Sequence, residues 1–148
     1  MLIKSMTLTN FRQFNGTQSI NFSVDPEKNV TVIMGENGSG KTTLAQAFTW
    51  CLYGSTDFDD QVVLNKAIAQ NIGPNGESFV QVKITMLHLG VDYTMTREQK
   101  YTTDSTGNLK RANNTVFKIQ YKNTDGQQDF VKDTEVDLRM KEILPKEL

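Results

Sequence analysis

Alternating apolar and polar residues along much of the chain predict a domain that is rich in β-strands. Met6 and Leu8 alternate with threonines near the amino terminus, and Ile20 and Phe22 mark a second run beyond a turn at residues 15–16. These two runs predict a hairpin. Further strands are predicted at residues 80–86, 91–97, 117–121 and 129–131, the first two joined as a hairpin through residues 88–90.

Other stretches predict helices and one buried strand. The β-branched run at residues 30–34 is typical of a buried strand. Apolar residues then recur at helical spacing, which predicts a helix over residues 41–53 with Gly54 as its C-cap. Residues 62–69 predict a short helix, and the polar residues 102–114 predict a loop.

A last helix is predicted from the spacing of Val136, Met140 and Ile143. Asp133 or Thr134 is expected to cap this helix, and Pro145 is expected to end it.

Between the predicted buried strand and the first helix lies a P-loop pattern, G-x-x-x-x-G-K-[ST], at residues 35–42. Its glycines allow backbone N–H groups to approach a polyphosphate closely. Lys41 is placed to reach the β- and γ-phosphates, and the Thr42 hydroxyl is a candidate Mg²⁺ ligand. The residues assigned to the nucleotide by this motif are Gly35, Asn37, Gly38, Ser39, Gly40, Lys41 and Thr42.

Composition limits the classes of protein that remain. A chain of 148 residues suits one domain, and its net charge of −1 does not by itself indicate nucleic-acid binding. The single cysteine, Cys51, excludes an internal disulfide and lies on the apolar face of the first predicted helix. No tract reaches the length of a bilayer span and no signal peptide is recognisable, so we expect a cytoplasmic protein without a membrane partner.

Hydrolysis needs an acidic residue at the end of a second apolar strand, and no such segment follows the P-loop. We therefore expect this chain to be the first part of a longer protein, able to bind a nucleotide but inactive alone. The cofactors expected are ATP and Mg²⁺, with Lys41 as the catalytic residue and Thr42 as the metal ligand.

Three segments resemble the N-terminal head lobe of SMC-like and RecF-like ATPases of the ABC class, within the AAA family and SbcC-like. They are the opening Ile3 to Arg12 with its Asn-Phe-Arg, the P-loop with Thr43, and residues 47–54. Residues 48–54 and the ending at residues 143–148 are most similar to DndD-type ATPases of bacterial DNA phosphorothioation systems.

This resemblance implies roles that the spacing does not reveal. Arg12 would contact phosphates from the first hairpin, and Thr43 would support the α-phosphate. The acidic, signature and switch motifs would lie in a missing C-terminal ATPase lobe, beyond a coiled coil. Two heads would form a homodimer through ATP, and their movement would act on double-stranded DNA together with nuclease or modification-system partners in repair, restriction or antiphage defence.

The predicted fold class is α/β with α+β character, a P-loop NTPase head lobe of the ABC class. It would have a mixed sheet and an antiparallel β-rich section around the P-loop helix. The expected parts of this single lobe at residues 1–148 are a hairpin and P-loop strand (1–34), the P-loop and its helix (35–54), the antiparallel section (77–131) and a helix towards the coiled coil (133–144).

Two alternative functions remain open: the nucleotide-binding subunit of a membrane transporter, and a non-catalytic nucleotide-sensing scaffold. Heptads beyond Leu148 would indicate an SMC-like arm, whereas a nearby signature motif would indicate a transporter. Basic residues around the second hairpin are either a DNA-contacting patch or a solvated edge. They are Arg97, Lys100, Lys110, Arg111, Lys118 and Lys122.

Overall fold

The computed structural model describes residues 1–112 and 114–144, and its main element is a seven-stranded sheet. The strands follow the order β2-β1-β3-β4-β6-β7, with β5 paired to β4, and all of these pairings are antiparallel. The strands are β1 (Leu2–Thr9), β2 (Thr17–Asn21), β3 (Glu77–His88), β4 (Val91–Thr103), β5 (Leu109–Arg111), β6 (Val116–Lys122) and β7 (Gln128–Phe130).

The helices are few and short. The first, α1 (Lys41–Tyr53), follows the P-loop, and α2 (Lys66–Asn71) lies before β3. A 3₁₀ turn (Asp133–Glu135) leads into α3 (Val136–Ile143). Both predicted hairpins and the helix from Lys41 to Tyr53 are confirmed. The predicted C-cap at Gly54 is confirmed too, because Gly54 adopts a left-handed φ of 75° and its N–H donates to the Trp50 carbonyl.

The core lies between one face of the sheet and α1. Every second side chain of a strand points to the same face, so the alternation of the sequence becomes an apolar layer. On the opposite face hydroxyl and amide groups pair across strands, as Ser5 does with Thr85 over 2.6 Å and Gln81 with Glu98 over 2.9 Å. The buried layer includes Met6, Leu8, Val82, Ile84, Met95 and Ile119 from the sheet and Ala47, Trp50 and Cys51 from α1.

Residues 30–34 depart most from the prediction of a buried strand. No strand of the described residues pairs with them, and Val30, Val32 and Met34 are 78%, 74% and 86% exposed. The physical reason is that a β-branched run becomes a strand only where a neighbouring strand accepts its backbone hydrogen bonds. The sheet of this structure places no strand beside it.

Smaller corrections concern loops and caps. Leu109–Arg111 forms β5 inside the predicted loop, since it pairs with Tyr101 to Thr103 of β4. Only Lys66–Asn71 of the predicted helix at residues 62–69 is helical, because Leu64 instead forms an isolated antiparallel bridge with Phe11. Neither Asp133 nor Thr134 caps α3, whose N-cap is Glu135 with no side-chain hydrogen bond, as both lie in the 3₁₀ turn. Pro145 lies outside the described residues.

Candidate nucleotide-binding site

The candidate site begins where the chain leaves residues 30–34 and enters α1. Gly40 precedes the helix with a φ of 101°, a left-handed conformation that glycine adopts without strain. It provides no side-chain cap, and the first turn of α1 contains no acidic residue. The N–H groups and the positive dipole end of α1 are therefore presented to the loop, which suits an anion such as a phosphate.

The side chain of Lys41 folds back over the loop that precedes it. Its ammonium donates hydrogen bonds to the carbonyl oxygens of Gly35 and Glu36, the second over 2.7 Å. The loop is closed by a turn in which the Ser39 N–H donates to the Glu36 carbonyl over 3.1 Å. A phosphate entering the loop would offer this ammonium a charged acceptor, which is a stronger partner than a neutral carbonyl.

The first hairpin presses directly on the P-loop. A Cβ on Gly40 would lie 2.8 Å from Phe14 Cζ and 2.9 Å from Gln13 Nε2, so a larger residue would require these side chains to move away. The hydroxyl of Thr43 donates to Gln13 Oε1 over 2.7 Å, and Thr43 is buried. The start of α1 is thus held by two residues that follow Arg12 in the chain.

Arg12 itself is anchored to the loop after α1. Its guanidinium donates to Asp60 Oδ1 over 2.8 Å and to the Val62 carbonyl over 2.6 Å, and it lies 4.1 Å above the Phe58 ring. Partial desolvation raises the pKa of Asp60, but the hydrogen bond from the Val62 N–H and the charge of Arg12 outweigh it and lower that pKa below its usual value. The carboxylate therefore stays ionised and holds the guanidinium.

A cavity of about 360 Å³ opens beside these residues. Arg12 and Lys66 give its wall a positive charge, and Gln13 and Asn65 add amide groups. Its lining also includes Leu64, so it combines an apolar surface with polar groups. Gln13 contacts both this cavity and Thr43, which places the cavity next to the start of α1.

The sequence profile of an AAA domain family matches residues 5–147. The chain belongs to this AAA domain family. The match spans the P-loop, most of the first hairpin, the second hairpin and the last helix, so it covers the fold as well as the motif.

Curated relatives of this AAA domain are archaeal. It is 31% identical over 99 residues to a DNA double-strand break repair Rad50 ATPase of Methanococcus maripaludis, a match that covers 67% of the chain and 9% of the relative. It is 30% identical over 95 residues to the Rad50 ATPase of Methanocaldococcus jannaschii, covering 64% of the chain and again 9% of the relative. The AAA domain therefore spans about 9% of the length of these relatives.

Solved structures confirm the fold class. One chain comes from work entitled "Structural biochemistry of ATP-driven dimerization and DNA stimulated activation of SMC ATPases"; it superposes with a TM-score of 0.53 at 16% identity, over 98% of this chain and 82% of that one. An SMC head bound to the C-winged helix domain of ScpA gives a TM-score of 0.51 at 17% identity, over 97% and 40% of the two chains. The AAA domain therefore has the P-loop NTPase fold of SMC heads.

The predicted site residues occupy one end of α1, with one exception. Gly35, Lys41 and Thr42 are exposed, whereas Gly40 and Thr43 face inward towards the hairpin. Arg12 points to Asp60 in this structure, and its predicted contact with a phosphate stays a prediction. The remaining loop residues, which are Asn37, Gly38 and Ser39, are also exposed.

Three residues of the site were missed from the sequence. Gln13, Asp60 and Asn65 contact Thr43, the Arg12 guanidinium and the Arg12 carbonyl, respectively. An asparagine directly before a short helix is a recognisable N-cap signal, and this signal would have identified Asn65. The contacts of Gln13 and Asp60 join segments far apart in the chain, which no local pattern reveals.

The basic residues of the second hairpin do not all lie on one face of the sheet. Arg97 lies on the α1 side of the sheet, where its Nε donates to the Cys51 carbonyl over 2.8 Å and its guanidinium stacks 4.4 Å from the Phe117 ring. Lys118 follows Phe117 in β6, so it lies on the opposite face. Among the described residues, no three His, Cys, Asp or Glu side chains come together as metal ligands, His88 included.

Proposed function

We propose that this AAA domain is the N-terminal ATP-binding lobe of an SMC-like DNA-processing ATPase head. The observation that carries the proposal is the P-loop at the open amino end of α1, with Lys41 folded over it. The family membership and the SMC-head fold support the same function. The ligand would be Mg-ATP.

The roles of the residues follow from the geometry of the loop. Lys41 would exchange the Gly35 and Glu36 carbonyls for the β- and γ-phosphates, and it is the catalytic residue of the proposal. Thr42, exposed in the first turn, would bind Mg²⁺, and Thr43 and Arg12 would support the other phosphates. Backbone N–H groups from Gly35 to Gly40 would form the cradle.

A complete ATPase needs further parts, which we propose come from the rest of the protein. The exposed run at residues 30–34 supports this, since its side chains are mostly apolar and no strand of the described residues pairs with its backbone, which suits pairing with strands of a C-terminal lobe. Residues 1–148 would then be one lobe, and two completed heads would dimerise through ATP and act on double-stranded DNA in the cytoplasm. The described helices are all too short and polar to span a bilayer.

The cellular role is proposed from sequence similarity alone. Residues 48–54 and 143–148 resemble DndD-type ATPases, so we propose a bacterial DNA phosphorothioation or restriction system with antiphage function. DNA repair is the other role, supported by the Rad50 ATPases among the relatives. Nuclease or modification-system proteins would be the partners in either case.

Isothermal titration calorimetry with Mg-ATP and Mg-GTP tests the proposal directly. We expect saturable ATP binding that Lys41→Ala weakens at least about tenfold, because it removes the cation that meets the phosphates. Lys28→Ala, which removes an exposed lysine outside the loop, is the matched control and should bind as the wild type does. A preference for GTP, or equal binding by Lys41→Ala, would contradict the proposal.

A turnover assay separates the enzyme from a nucleotide-sensing scaffold. The full-length protein should hydrolyse ATP, and residues 1–148 alone should not. Binding without hydrolysis by the full-length protein, even with DNA present, would favour the scaffold.

A further inference from the structure

The conformation of the chain at Arg12 is unusual, and it determines where the first hairpin meets the P-loop. Asn10 and Arg12 both have positive φ values, 58° and 49°. Asparagine adopts this left-handed conformation readily, but arginine does so at an energetic cost. A strained residue of this kind persists only where its surroundings hold it.

Residues 63–65 hold Arg12 in this left-handed conformation. The Arg12 N–H donates to the Val63 carbonyl over 2.8 Å, and the Arg12 carbonyl accepts from Asn65 Nδ2 over 2.6 Å. The Asn65 N–H donates to the Asn10 carbonyl over 2.8 Å. Both backbone polar groups of Arg12 are therefore bound by one short segment, and Asn65 makes two of the three contacts.

Asn65 is also buried, with 6% of its surface exposed. Its Oδ1 accepts from the Ile68 N–H over 3.2 Å and so caps α2, while its Nδ2 is used for Arg12. The oxygen of this amide therefore binds α2, and its nitrogen binds the backbone of Arg12. Beside it Phe11 pairs with Leu64, and both are fully buried, so the segment cannot shift without opening the core.

The turn that begins at Arg12 directs the next two residues at the P-loop. The Phe14 N–H donates to the Phe11 carbonyl over 2.9 Å, which closes the turn. Gln13 then accepts from Thr43, and the Phe14 ring lies against Gly40. A continuous set of contacts therefore runs from Asn65 through Arg12 to both ends of the first turn of α1.

We propose that Asn65 is a positioning residue for nucleotide binding. Its amide holds Arg12 in the left-handed conformation, and this conformation places Gln13 and Phe14 against the P-loop. The effect on nucleotide affinity rests on the proposed function, whereas the effect on the conformation of the loop does not.

The substitution Asn65→Asp isolates this role. The aspartate keeps the oxygen that caps α2, but it sets a carboxylate oxygen against the Arg12 carbonyl where a donor stood. We expect the dissociation constant for Mg-ATP to rise about tenfold while α2 stays folded. Asn71→Ala removes an exposed amide that bonds the Ala67 carbonyl in the same helix, and it should leave the affinity unchanged.

Hydrogen exchange without nucleotide tests the effect of Asn65 on the conformation of the loop, independently of nucleotide affinity. In Asn65→Asp the amides of residues 12–16 and 40–44 should exchange faster than in the wild type, and those of 66–71 should not. Unchanged exchange at 12–16 and 40–44 would overturn the proposal. If the wild type binds no nucleotide but exchange still changes, the proposed function fails while the positioning role stands.

A double-mutant cycle distinguishes positioning from general destabilisation. Gln13→Ala removes one of the two contacts through which Asn65 would act, so the loss of ATP affinity in Gln13→Ala with Asn65→Asp should be smaller than the sum of the two single losses. Fully additive losses in affinity would show that Asn65 does not act through Gln13, and would overturn the proposal.

Discussion

At the scale of single residues, Arg97 and Cys51 form an unusual pair at the end of α1. Arg97 donates to the Cys51 carbonyl and stacks on Phe117, so it satisfies a carbonyl near the carboxyl end of the helix with a cation. Burial lowers the pKa of Arg97, although the neighbouring Cys51 opposes this shift, and the guanidinium remains charged. The Cys51 thiol beside it is fully buried.

Burial raises the pKa of Cys51 from 9.0 to about 12, despite the nearby charge of Arg97. Because the thiolate is the reactive species, we expect native Cys51 to react with a disulfide reagent at least about a thousandfold more slowly than the unfolded chain at pH 8. Ellman's reagent with and without urea measures this ratio. Fast labelling of the native protein would mean that the thiol is exposed.

The same shift predicts the sign of a pH effect. The raised pKa keeps the proton on the Cys51 thiol in the folded protein. The contribution of this thiol to the free energy of unfolding is therefore complete below about pH 9 and is lost as the pH rises towards 12. Cys51→Ala should therefore show a smaller loss of stability than the wild type over this alkaline range. Urea unfolding of both proteins at each pH provides the comparison.

At the scale of elements, α1 connects the candidate site to the sheet. Its first turn meets the hairpin at Gln13, and its last turn meets β4 at Arg97. Ala47, Trp50 and Cys51 pack on the sheet between these points. The helix is therefore held at both ends and along one face, which suits the proposed role of its first turn in binding a phosphate.

Gly54 is the residue that ends α1, and a matched pair of variants tests its contact with β4. Gly54 and Gly126 share a φ of 75°, but a Cβ on Gly54 would lie 3.2 Å from Arg97 Nη1, whereas one on Gly126 would meet nothing within 4 Å. In both alanine variants the left-handed conformation should lower the free energy of unfolding by about 1 kcal/mol. Urea unfolding should show a larger decrease for Gly54→Ala than for Gly126→Ala. Equal decreases would show that Arg97 moves aside freely.

At the scale of the whole molecule, the sheet has a buried core on one face, whereas the apolar run at residues 30–34 is exposed. The four apolar residues of this run are exposed, although their side chains belong to the types most often buried; they are Val30, Val32, Ile33 and Met34. Exposed apolar segments of this kind mark interaction surfaces. This fits the proposal that a second lobe covers the run.

Substituting this run should leave the stability of the chain intact. Val32→Ser with Met34→Ser should change the free energy of unfolding by less than about 0.5 kcal/mol, since both side chains are exposed. Val82→Ser, a buried control, should lose about 2 kcal/mol or more. Urea unfolding measures both, and a large loss in the double variant would mean that the run is buried within this chain.

Although it should leave the stability of the chain unchanged, Val32→Ser with Met34→Ser should weaken the docking of a second lobe if the proposal is correct. In the full-length protein it should impair ATP hydrolysis, because the second lobe would dock on residues 30–34. Unimpaired hydrolysis would show that this run is not the docking surface.

Much of the fold could be predicted because it depends on local patterns. The pleat of a strand converts alternation into a buried face, so the strand predicted at residues 80–86 is confirmed as part of β3, and its Val82 and Ile84 are buried. Gly54 was recognisable as a C-cap because only a left-handed residue ends a helix in this way. The strand Leu109–Arg111 escaped prediction, since its polar residues form a strand only beside β4.

The sequence by itself determined the P-loop, the helix that follows it and the alternation of the sheet, because each depends on residues close together in the chain. Only the tertiary structure decided that Arg12 binds Asp60, that Asn65 holds the Arg12 backbone and that residues 30–34 lie outside the sheet. Each of these depends on whether a distant segment supplies a partner. Hydrogen bonds and burial between distant segments are properties of the folded chain as a whole.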